Sequence, residues 1–563
     1  MGLSRIDRTL SVLFAMPLLL LYVDKSWLFS SFGYIDSWIY SGYFIDLPKH
    51  MHSFPGTYYG TRLSWLLPGF LAYHIFPPLV ALHLLHILFY ELAVLSLYLV
   101  LKHTVNQRAA ALTAILMGGY SFFLWAIGWD YVDGTGITYF LLTMLALTYA
   151  AKSRRFDLWL VVAGICFACL IHSQLFLGVL TPVFILYYVV VNRSYRRNAL
   201  LLSLLLFSAG AISLTCLLAI INWSLGGQFL FFLPSIQFTT TYVRQPNPWR
   251  VSSYTWLLSA ASLVLPAVVL VSSVAFLLAR GLIKGEREDG AIPLFQFCFI
   301  LTVIILSGWE LAGLPVLQSP HYASYLIPTM FLAIGSQVAR ATQNLGSGQF
   351  CLLLGAIVCI IFLPFSLSLN TPLAAYVSRW GFLLPILLGL AGLLSLSSRC
   401  RHLNVPGMLL LCAACATFNM GLGTRAWQKE PALGKDAFLA VVESEETIKI
   451  VDPNAAVLFW YDFDTRPLGN LYRSVSSEYL WAYRLFSEHF PMPDESRRKP
   501  APGMKIVILS TDEQALERAD RSLKKMGFGA YLVTERTIRK GQISYDMIFI
   551  DVIVAPECGA SSK

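Results

Sequence analysis

Long apolar stretches alternate with short polar loops over the first three quarters of the chain. A helix crosses the hydrocarbon core of a bilayer with roughly 20 apolar residues, and this template predicts about thirteen spans. They cover residues 9–24, 78–101, 109–127, 135–151, 156–171, 174–191, 199–222, 256–279, 292–309, 321–339, 350–369, 380–397 and 405–422. The pattern therefore predicts an α-helical polytopic membrane protein.

After the last span, the pattern changes to short apolar runs separated by polar residues. Three of these runs have the length of β-strands: Ala455–Tyr461, Lys505–Leu509 and Tyr545–Val552. The segment Asp512–Met526 has the periodicity of a helix and is followed by Gly527, a typical helix stop. We therefore predict two domains, a transmembrane domain over residues 1–423 and a small soluble α/β domain over residues 424–563.

Composition and charge agree with this division and orient the chain. Hydrophobic residues make up 56% of the sequence and charged residues only 13%, whereas soluble domains carry roughly 25% charged residues. With the N-terminus inside, the inside segments of the membrane domain carry sixteen Lys and Arg and the outside segments six. The positive-inside rule therefore predicts a cytoplasmic N-terminus and an extracytoplasmic C-terminal domain. A nucleic-acid partner is not expected, because the excess positive charge belongs to the membrane half and forms no soluble basic face.

Acidic residues near the outer membrane face are the first candidates for chemistry, since ionisable groups near the membrane are costly and usually functional. Asp36 follows the first span, at the start of a predicted interfacial helix. Its carboxylate could take a proton from a hydroxyl or simply cap its helix. Asp130 and Asp133 lie in a short outer loop, where they could ligate a divalent cation, bind sugar hydroxyls or face interfacial water. Glu310 is also on the outer side.

Cationic side chains on the same face are candidates for binding a lipid-linked phosphate. Arg62 and His321 stand out, because each is next to a span and has aromatic neighbours. Further cationic candidates on this face include Lys49 and His172, while Tyr59 and Tyr322 are among the aromatic neighbours of Arg62 and His321. A lone histidine is more often a satisfied structural residue than a ligand, so this alternative stays open for His172 and His321.

Four segments resemble the GT-C superfamily of membrane glycosyltransferases, and most of all the branch with aminoarabinose transferases of lipid A and protein O-mannosyltransferases. The segments are YIDSWIY with Asp36, YYGTRLSWLL with Arg62, the stretch from Asp133 through the basic turn Lys152–Arg155 to His172, and HYASYLIP with His321. Together with their order along the chain, they cover roughly the first 340 residues.

The resemblance implies transfer of a sugar from a polyprenyl-phosphate donor, at the outer membrane face and with inversion at the anomeric carbon. Asp36 would be the general base. The donor phosphate would lie at Arg62, His321, Tyr322 and Lys49, and the sugar or acceptor pocket at Asp130, Asp133, Tyr59, His172 and Glu310. The acceptor would be a lipid, a glycan or a protein, and the membrane a bacterial inner membrane. No cofactor is implied with certainty, although Asp36, Asp130 and Asp133 could hold a divalent cation.

Two departures and two alternatives accompany this interpretation. His172 and His321 stand where members of the superfamily often have Lys or Arg, and the tail after Thr424 contains no matching motif. A polysaccharide polymerase or O-antigen ligase would use a similar donor, but it favours a large central outer loop. A secondary transporter would place charged residues at the bilayer midplane, where the sequence offers only Glu91.

Overall fold

A computed structural model provides the structure of the chain. It describes residues 8–23, 35–53, 57–128, 132–152, 156–192, 197–244, 263–282, 291–342, 346–366, 430–451, 456–457, 502–503, 505–510, 514–525, 527–541 and 543–554.

Helices form the apolar part of the chain. They are α1 (Arg8–Val23), α2 (Ile35–Ile45), α3 (Leu47–Ser53), α4 (Leu63–Ile75), α5 (Pro78–Thr104), α6 (Gln107–Gly118), α7 (Ser121–Gly128), α8 (Val132–Lys152), α9 (Phe156–Ser173), α10 (Thr181–Val191), α11 (Arg197–Ser224), α12 (Leu233–Arg244), α13 (Val264–Leu282), α14 (Ala291–Ala312), α15 (Pro320–Ala323), α16 (Ile327–Thr342) and α17 (Ser347–Ser366). Short 3₁₀ turns occur at Tyr59–Thr61, Leu175–Leu180 and Ser324–Leu326.

Within the described ranges, four helices are long and apolar enough to cross a membrane: Pro78–Thr104, Val132–Lys152, Leu200–Ser224 and Pro293–Leu311. A fifth candidate is the pair α6 and α7, which is bent by 61°. Shorter apolar helices, including α1, α4 and α9, accompany them. These helices confirm an integral membrane protein.

Helices lie at eleven of the thirteen predicted spans, and the remaining two, 380–397 and 405–422, fall outside the described residues. The count of about thirteen is not confirmed, because several of the helices are too short to cross a membrane by length alone. Helix α4 was not predicted, since it occupies part of the predicted first outer loop. Its thirteen residues are fewer than a span needs.

Glycines allow a close contact between α9 and α11. A Cβ added at Gly164 of α9 would meet the carbonyl oxygen of Phe207, and one added at Gly210 of α11 would meet that of Val161. Membrane helices gain little hydrophobic energy from each other, so small residues that let backbones touch provide the packing.

The residues form two compact units. The first comprises Met1–Phe29, Pro55–Pro68 and Leu82–Gln428, and the second Ser30–Phe54, Gly69–Ala81 and Lys429–Lys563. The predicted domain division at residue 423 stays a prediction.

The C-terminal part of the second unit is an α/β arrangement. Its elements are α18 (Glu430–Val451), β1 (Ala456–Val457), β2 (Lys505–Ser510), α19 (Ala515–Lys525), β3 (Phe528–Lys540) and β4 (Ile543–Val554). The sheet has the order β1-β2-β4-β3, with β1 parallel to β2 and the other pairs antiparallel. Gly541, with φ of 55°, lies where β3 turns into β4. A small sheet with helices is thus confirmed at the C-terminus, and it includes one strand, β3, that was not predicted.

Two helices supply the core of this sheet. From α19, Ala519 and Leu523 pack on Ile548 and Ile550 of β4. From α18, Ser444 shares a hydrogen bond of 2.6 Å with the hydroxyl of Tyr545. Burial raises the pKa of the Tyr545 hydroxyl, so it remains a protonated hydrogen-bonding group.

Candidate active site

Asp133 lies at the centre of a buried polar cluster in the first unit. It is the second residue of α8 and its side chain is fully buried. The neighbouring Gly134 lets α8 approach the end of α7, because a Cβ there would lie 2.8 Å from the carbonyl oxygen of Ala126 and 2.9 Å from the Cα of Ile127. A carboxylate this deep needs compensating partners.

Two side chains from the HYASY segment meet Asp133. The Tyr325 hydroxyl donates a hydrogen bond of 3.0 Å to Oδ1, and His321 Nδ1 lies 3.3 Å from Oδ2, an ion-pair distance if His321 is protonated. His321 and Tyr325 are four residues apart, which places them on one face of a helical segment. Gly136 makes room for Tyr325, because a Cβ there would lie 2.6 Å from Cε1 of the ring.

Aromatic side chains fix the orientation of this segment. The Trp125 ring of α7 stacks on His321 with centroids 5.5 Å apart and 20° between the planes. Phe176 presents its edge to Tyr322 at 5.3 Å and to Tyr325 at 5.7 Å. The histidine ring is therefore held between a carboxylate and an indole, while 14% of its surface stays exposed.

Arg62 brings a buried positive charge to the same cluster. Only 5% of its surface is exposed, and its guanidinium lies 4.9 Å above the ring of Tyr58. The Tyr58 ring stacks on Phe238 of α12 at 4.4 Å. The charge of Arg62 acts electrostatically on Asp133 and on Tyr325. Four residues from separate parts of the chain thus form this cluster: Arg62, Asp133, His321 and Tyr325. It is called here the outer cluster, after the membrane face that the sequence predicts for these residues.

Glu310 accepts hydrogen bonds from the loop that leads to His321. It lies near the end of α14, where Oε2 accepts a 2.7 Å hydrogen bond from the backbone N–H of Leu317. Oε1 accepts a second hydrogen bond from the side-chain amide of Gln318. The carboxylate therefore fastens the turn that precedes His321.

His172 lies elsewhere in the first unit, whereas Tyr59 is next to Arg62, whose backbone N–H donates a 3.2 Å hydrogen bond to the Tyr59 carbonyl. His172 shares a hydrogen bond of 2.9 Å with Thr215 of α11 and contacts the Phe231 ring at 4.9 Å. Tyr59 is buried in its 3₁₀ turn, with its ring 4.1 Å from that of Tyr58. These contacts give both residues a structural environment, and their predicted place in a sugar pocket stays a prediction.

The side chains of three predicted site residues, Asp36, Lys49 and Asp130, lie outside the described part of the structure. Asp36 is the second residue of α2 and Lys49 lies in α3, but their side chains are outside the described atoms, as is Asp130 altogether. Among the described residues, no group of three or more His, Cys, Asp or Glu could hold a metal ion. The divalent cation therefore stays a prediction.

Tyr325, which is hydrogen-bonded to Asp133, was not among the predicted site residues, and the prediction of Tyr322 stays a prediction. The available signal was the spacing of four residues between His321 and Tyr325, which puts both on the helix face that meets Asp133. Asp133 was assigned to the sugar pocket, yet it lies with Arg62 and His321, the candidates for the donor phosphate.

The outer cluster contains side chains of the types that bind phosphate groups. Arginine offers a planar set of donors that matches phosphate oxygens, and His321 is a second nitrogen donor. Asp133 compensates part of the positive charge of Arg62, so the buried guanidinium depends less on solvation by bulk water. Preorganised donors of this kind stabilise negative charge that develops on a leaving group.

The helices and the outer cluster define a polytopic membrane protein with a buried charged site. Solved structures with a similar fold are known. ArnT from Cupriavidus metallidurans, in the crystal structure bound to undecaprenyl phosphate, is 14% identical over 96% of this chain and 98% of its own, with a TM-score of 0.53. Its apo structure gives 14% identity, 97% and 98% coverage and a TM-score of 0.52. The apo oligosaccharyltransferase from Archaeoglobus fulgidus is 12% identical over 88% of this chain and 61% of its own, with a TM-score of 0.40.

No protein-family model matches the chain, and no curated protein matches it by sequence. The likeness to ArnT nevertheless extends over almost the full length of both chains. The chain therefore shares the ArnT fold, in agreement with the fold that the sequence resemblance implied.

Proposed function

We propose that this chain is an inverting glycosyltransferase that moves a sugar from a polyprenyl-phosphate-linked donor to an acceptor at the extracytoplasmic membrane face. The observation that carries the proposal is the outer cluster, in which the buried Arg62 and the partly buried His321 provide donors for a phosphate, in a fold shared with ArnT bound to undecaprenyl phosphate. ArnT is an aminoarabinose transferase. This relationship favours a transferase over a polymerase, a ligase or a transporter.

The donor phosphate is the leaving group of the proposed reaction. As the bond between the anomeric carbon and the phosphate oxygen breaks, negative charge grows on that oxygen. Arg62 binds the phosphate and stabilises this charge. His321 adds a hydrogen bond to the phosphate from Nε2, the ring nitrogen that does not face Asp133. Tyr322 and Lys49 are further candidates on the donor side, while Asp133 and Tyr325 hold the cluster in shape.

The acceptor must lose a proton as it attacks the sugar from the face opposite to the phosphate. Asp36 is the proposed general base, because it is a carboxylate in the predicted first outer loop and lies in the segment that resembles the superfamily. The acceptor is a lipid, a glycan or a protein. A divalent cation at Asp36, Asp130 or Asp133 would assist by neutralising phosphate charge. The proposed location is a bacterial inner membrane, with the N-terminus in the cytoplasm.

Donor binding tests the proposal directly. Undecaprenyl phosphate is titrated into the purified full-length protein and into the Arg62→Ala variant. We expect the variant to bind at least about tenfold more weakly, because hydrogen bonds to charged groups contribute roughly 1.5–3 kcal/mol.

Arg108→Ala is the matched control, since Arg108 also lies over an aromatic ring, Phe350 at 5.4 Å, in another part of the first unit. We expect this control and Asp36→Asn to bind the lipid like the wild type. Wild-type affinity in Arg62→Ala would remove Arg62 from the phosphate site, and an absence of binding by the wild type would overturn the donor class.

A further inference from the structure

Helix α4 begins directly after Arg62 and contains a proline, Pro68. Proline has no backbone N–H, so the carbonyl four residues earlier, that of Ser64, has no helical hydrogen-bond donor. In an apolar environment an unsatisfied carbonyl is costly, and prolines in membrane helices are tolerated where another group supplies the missing hydrogen bond.

Tyr139 of α8 supplies that hydrogen bond. Its hydroxyl donates to the Ser64 carbonyl at 3.0 Å. The Ser64 hydroxyl in turn donates to the carbonyl of Cys169 in α9 at 2.7 Å. One residue, Ser64, therefore fastens the start of α4 to two neighbouring helices.

Arg62 belongs to the start of α4, which these hydrogen bonds of Ser64 hold against α8 and α9. Its carbonyl accepts hydrogen bonds from the backbone N–H groups of Trp65, at 2.9 Å, and Leu66, at 3.0 Å. The backbone of Arg62 is thus built into the first turn of α4. Asp133 lies on α8, the helix that bears Tyr139. The hydrogen bond from Tyr139 to Ser64 consequently links the arginine to the helix that carries the carboxylate.

We infer that Tyr139 is a positioning residue for the donor-phosphate site, because it uses the carbonyl freed by Pro68 to set the position of Arg62 relative to Asp133. The inference rests on the proposed function for the identity of the ligand. The hydrogen bond itself can be tested without that ligand.

The test is a double-mutant cycle of Tyr139→Phe and Pro68→Ala in the full-length protein. Tyr139→Phe removes the hydroxyl and keeps the ring, which packs edge-on against Phe89 at 6.0 Å. Pro68→Ala returns a backbone N–H that can bond Ser64 within the helix. Undecaprenyl phosphate binding and apparent melting temperature without lipid are measured for all four proteins.

In the wild-type background, we expect Tyr139→Phe to weaken lipid binding about three- to tenfold, the effect of one lost hydrogen bond. In the Pro68→Ala background, the same change should alter binding less than about twofold, because the carbonyl no longer needs the tyrosine. Tyr149→Phe is the matched control on the same helix. Its ring stacks on Trp159 at 4.8 Å, and its loss of a hydroxyl should leave binding unchanged in both backgrounds.

Two results would overturn the inference: unchanged lipid binding by Tyr139→Phe, or an equal loss of binding in both backgrounds. If the wild type binds no lipid phosphate, the proposed function fails and the positioning role fails with it. The melting temperatures would still separate the two ideas, since coupling between the substitutions without lipid demonstrates the hydrogen bond independently of any donor.

Discussion

Tyr325 donates a hydrogen bond of 3.0 Å to the carboxylate of Asp133, which precedes it by 192 residues. Both side chains are buried, and the second carboxylate oxygen lies 3.3 Å from Nδ1 of His321. The late segment that carries His321 is therefore held against the start of α8 at two points. This arrangement makes Asp133 the anchor of the outer cluster, so the partners of Asp133 should matter for donor binding as much as Arg62 does.

Removing the hydroxyl of Tyr325 should weaken donor binding. Tyr325→Phe leaves the Asp133 carboxylate with one partner fewer, and we expect undecaprenyl phosphate to bind about tenfold more weakly. Tyr187→Phe is the matched control, since the buried Tyr187 hydroxyl also has a hydrogen bond, of 2.6 Å, to Thr148. Both variants should lose similar thermal stability. Equal lipid affinities in the two variants would contradict a role for Tyr325 in the site.

A methyl group at Gly136 should disturb the hydrogen bond between Tyr325 and Asp133, because it would press on the Tyr325 ring. The added carbon would lie 2.6 Å from the Tyr325 ring, and overpacking of this kind costs roughly 1–3 kcal/mol. We expect Gly136→Ala to lower both the melting temperature and the affinity for the lipid phosphate. Gly308→Ala is the control, because a Cβ there meets nothing within 4 Å and should raise helix stability slightly. A Gly136→Ala protein as stable as the Gly308→Ala protein would show that the ring can move aside.

The parts of the site could be predicted from sequence, but their assembly could not. Asp133 and His321 are recognisable singly because each is an ionisable residue at the edge of a predicted span, and Arg62 because it lies in a segment that resembles the superfamily. Their contacts join segments far apart in sequence, and neither hydropathy nor spacing encodes which span ends meet. Only the pairing of His321 with Tyr325 has a local signal, the helical spacing of four residues.

There are also physical reasons why α4 and β3 were not predicted. Helix α4 is apolar but short and contains Pro68, so a criterion based on span length ignores it. Strand β3 has a long exposed stretch with charged residues such as Glu535 and Arg536, and it pairs along its full length with β4. Its stability comes from that pairing, which the sequence of a single strand does not reveal.

The predicted orientation of the chain can be tested with fusion reporters. A reporter that is active only outside the cytoplasm should be active when fused after Thr424 and silent when fused within Lys152–Asp157. The reason is the excess of Lys and Arg in the segments predicted to be cytoplasmic. The reverse result at either position would place the outer cluster on the cytoplasmic face, and with it the proposed site of transfer.

Asp36 is the residue on which the proposed chemistry depends most. Asp36→Asn keeps the size of the side chain and its ability to cap a helix, but it removes the proton acceptor. If Asp36 is the general base, sugar transfer should fall by roughly 10²–10⁴-fold while undecaprenyl phosphate binding is retained. If Asp36 only stabilises the first turn of α2, in which it is the second residue, asparagine should cost little stability and transfer should survive. Asp46→Asn provides the control, since Asp46 lies between α2 and α3 and its backbone carbonyl accepts a hydrogen bond from the backbone N–H of His50. Near-wild-type transfer by a folded Asp36→Asn protein would exclude Asp36 as the base and direct attention to Asp130.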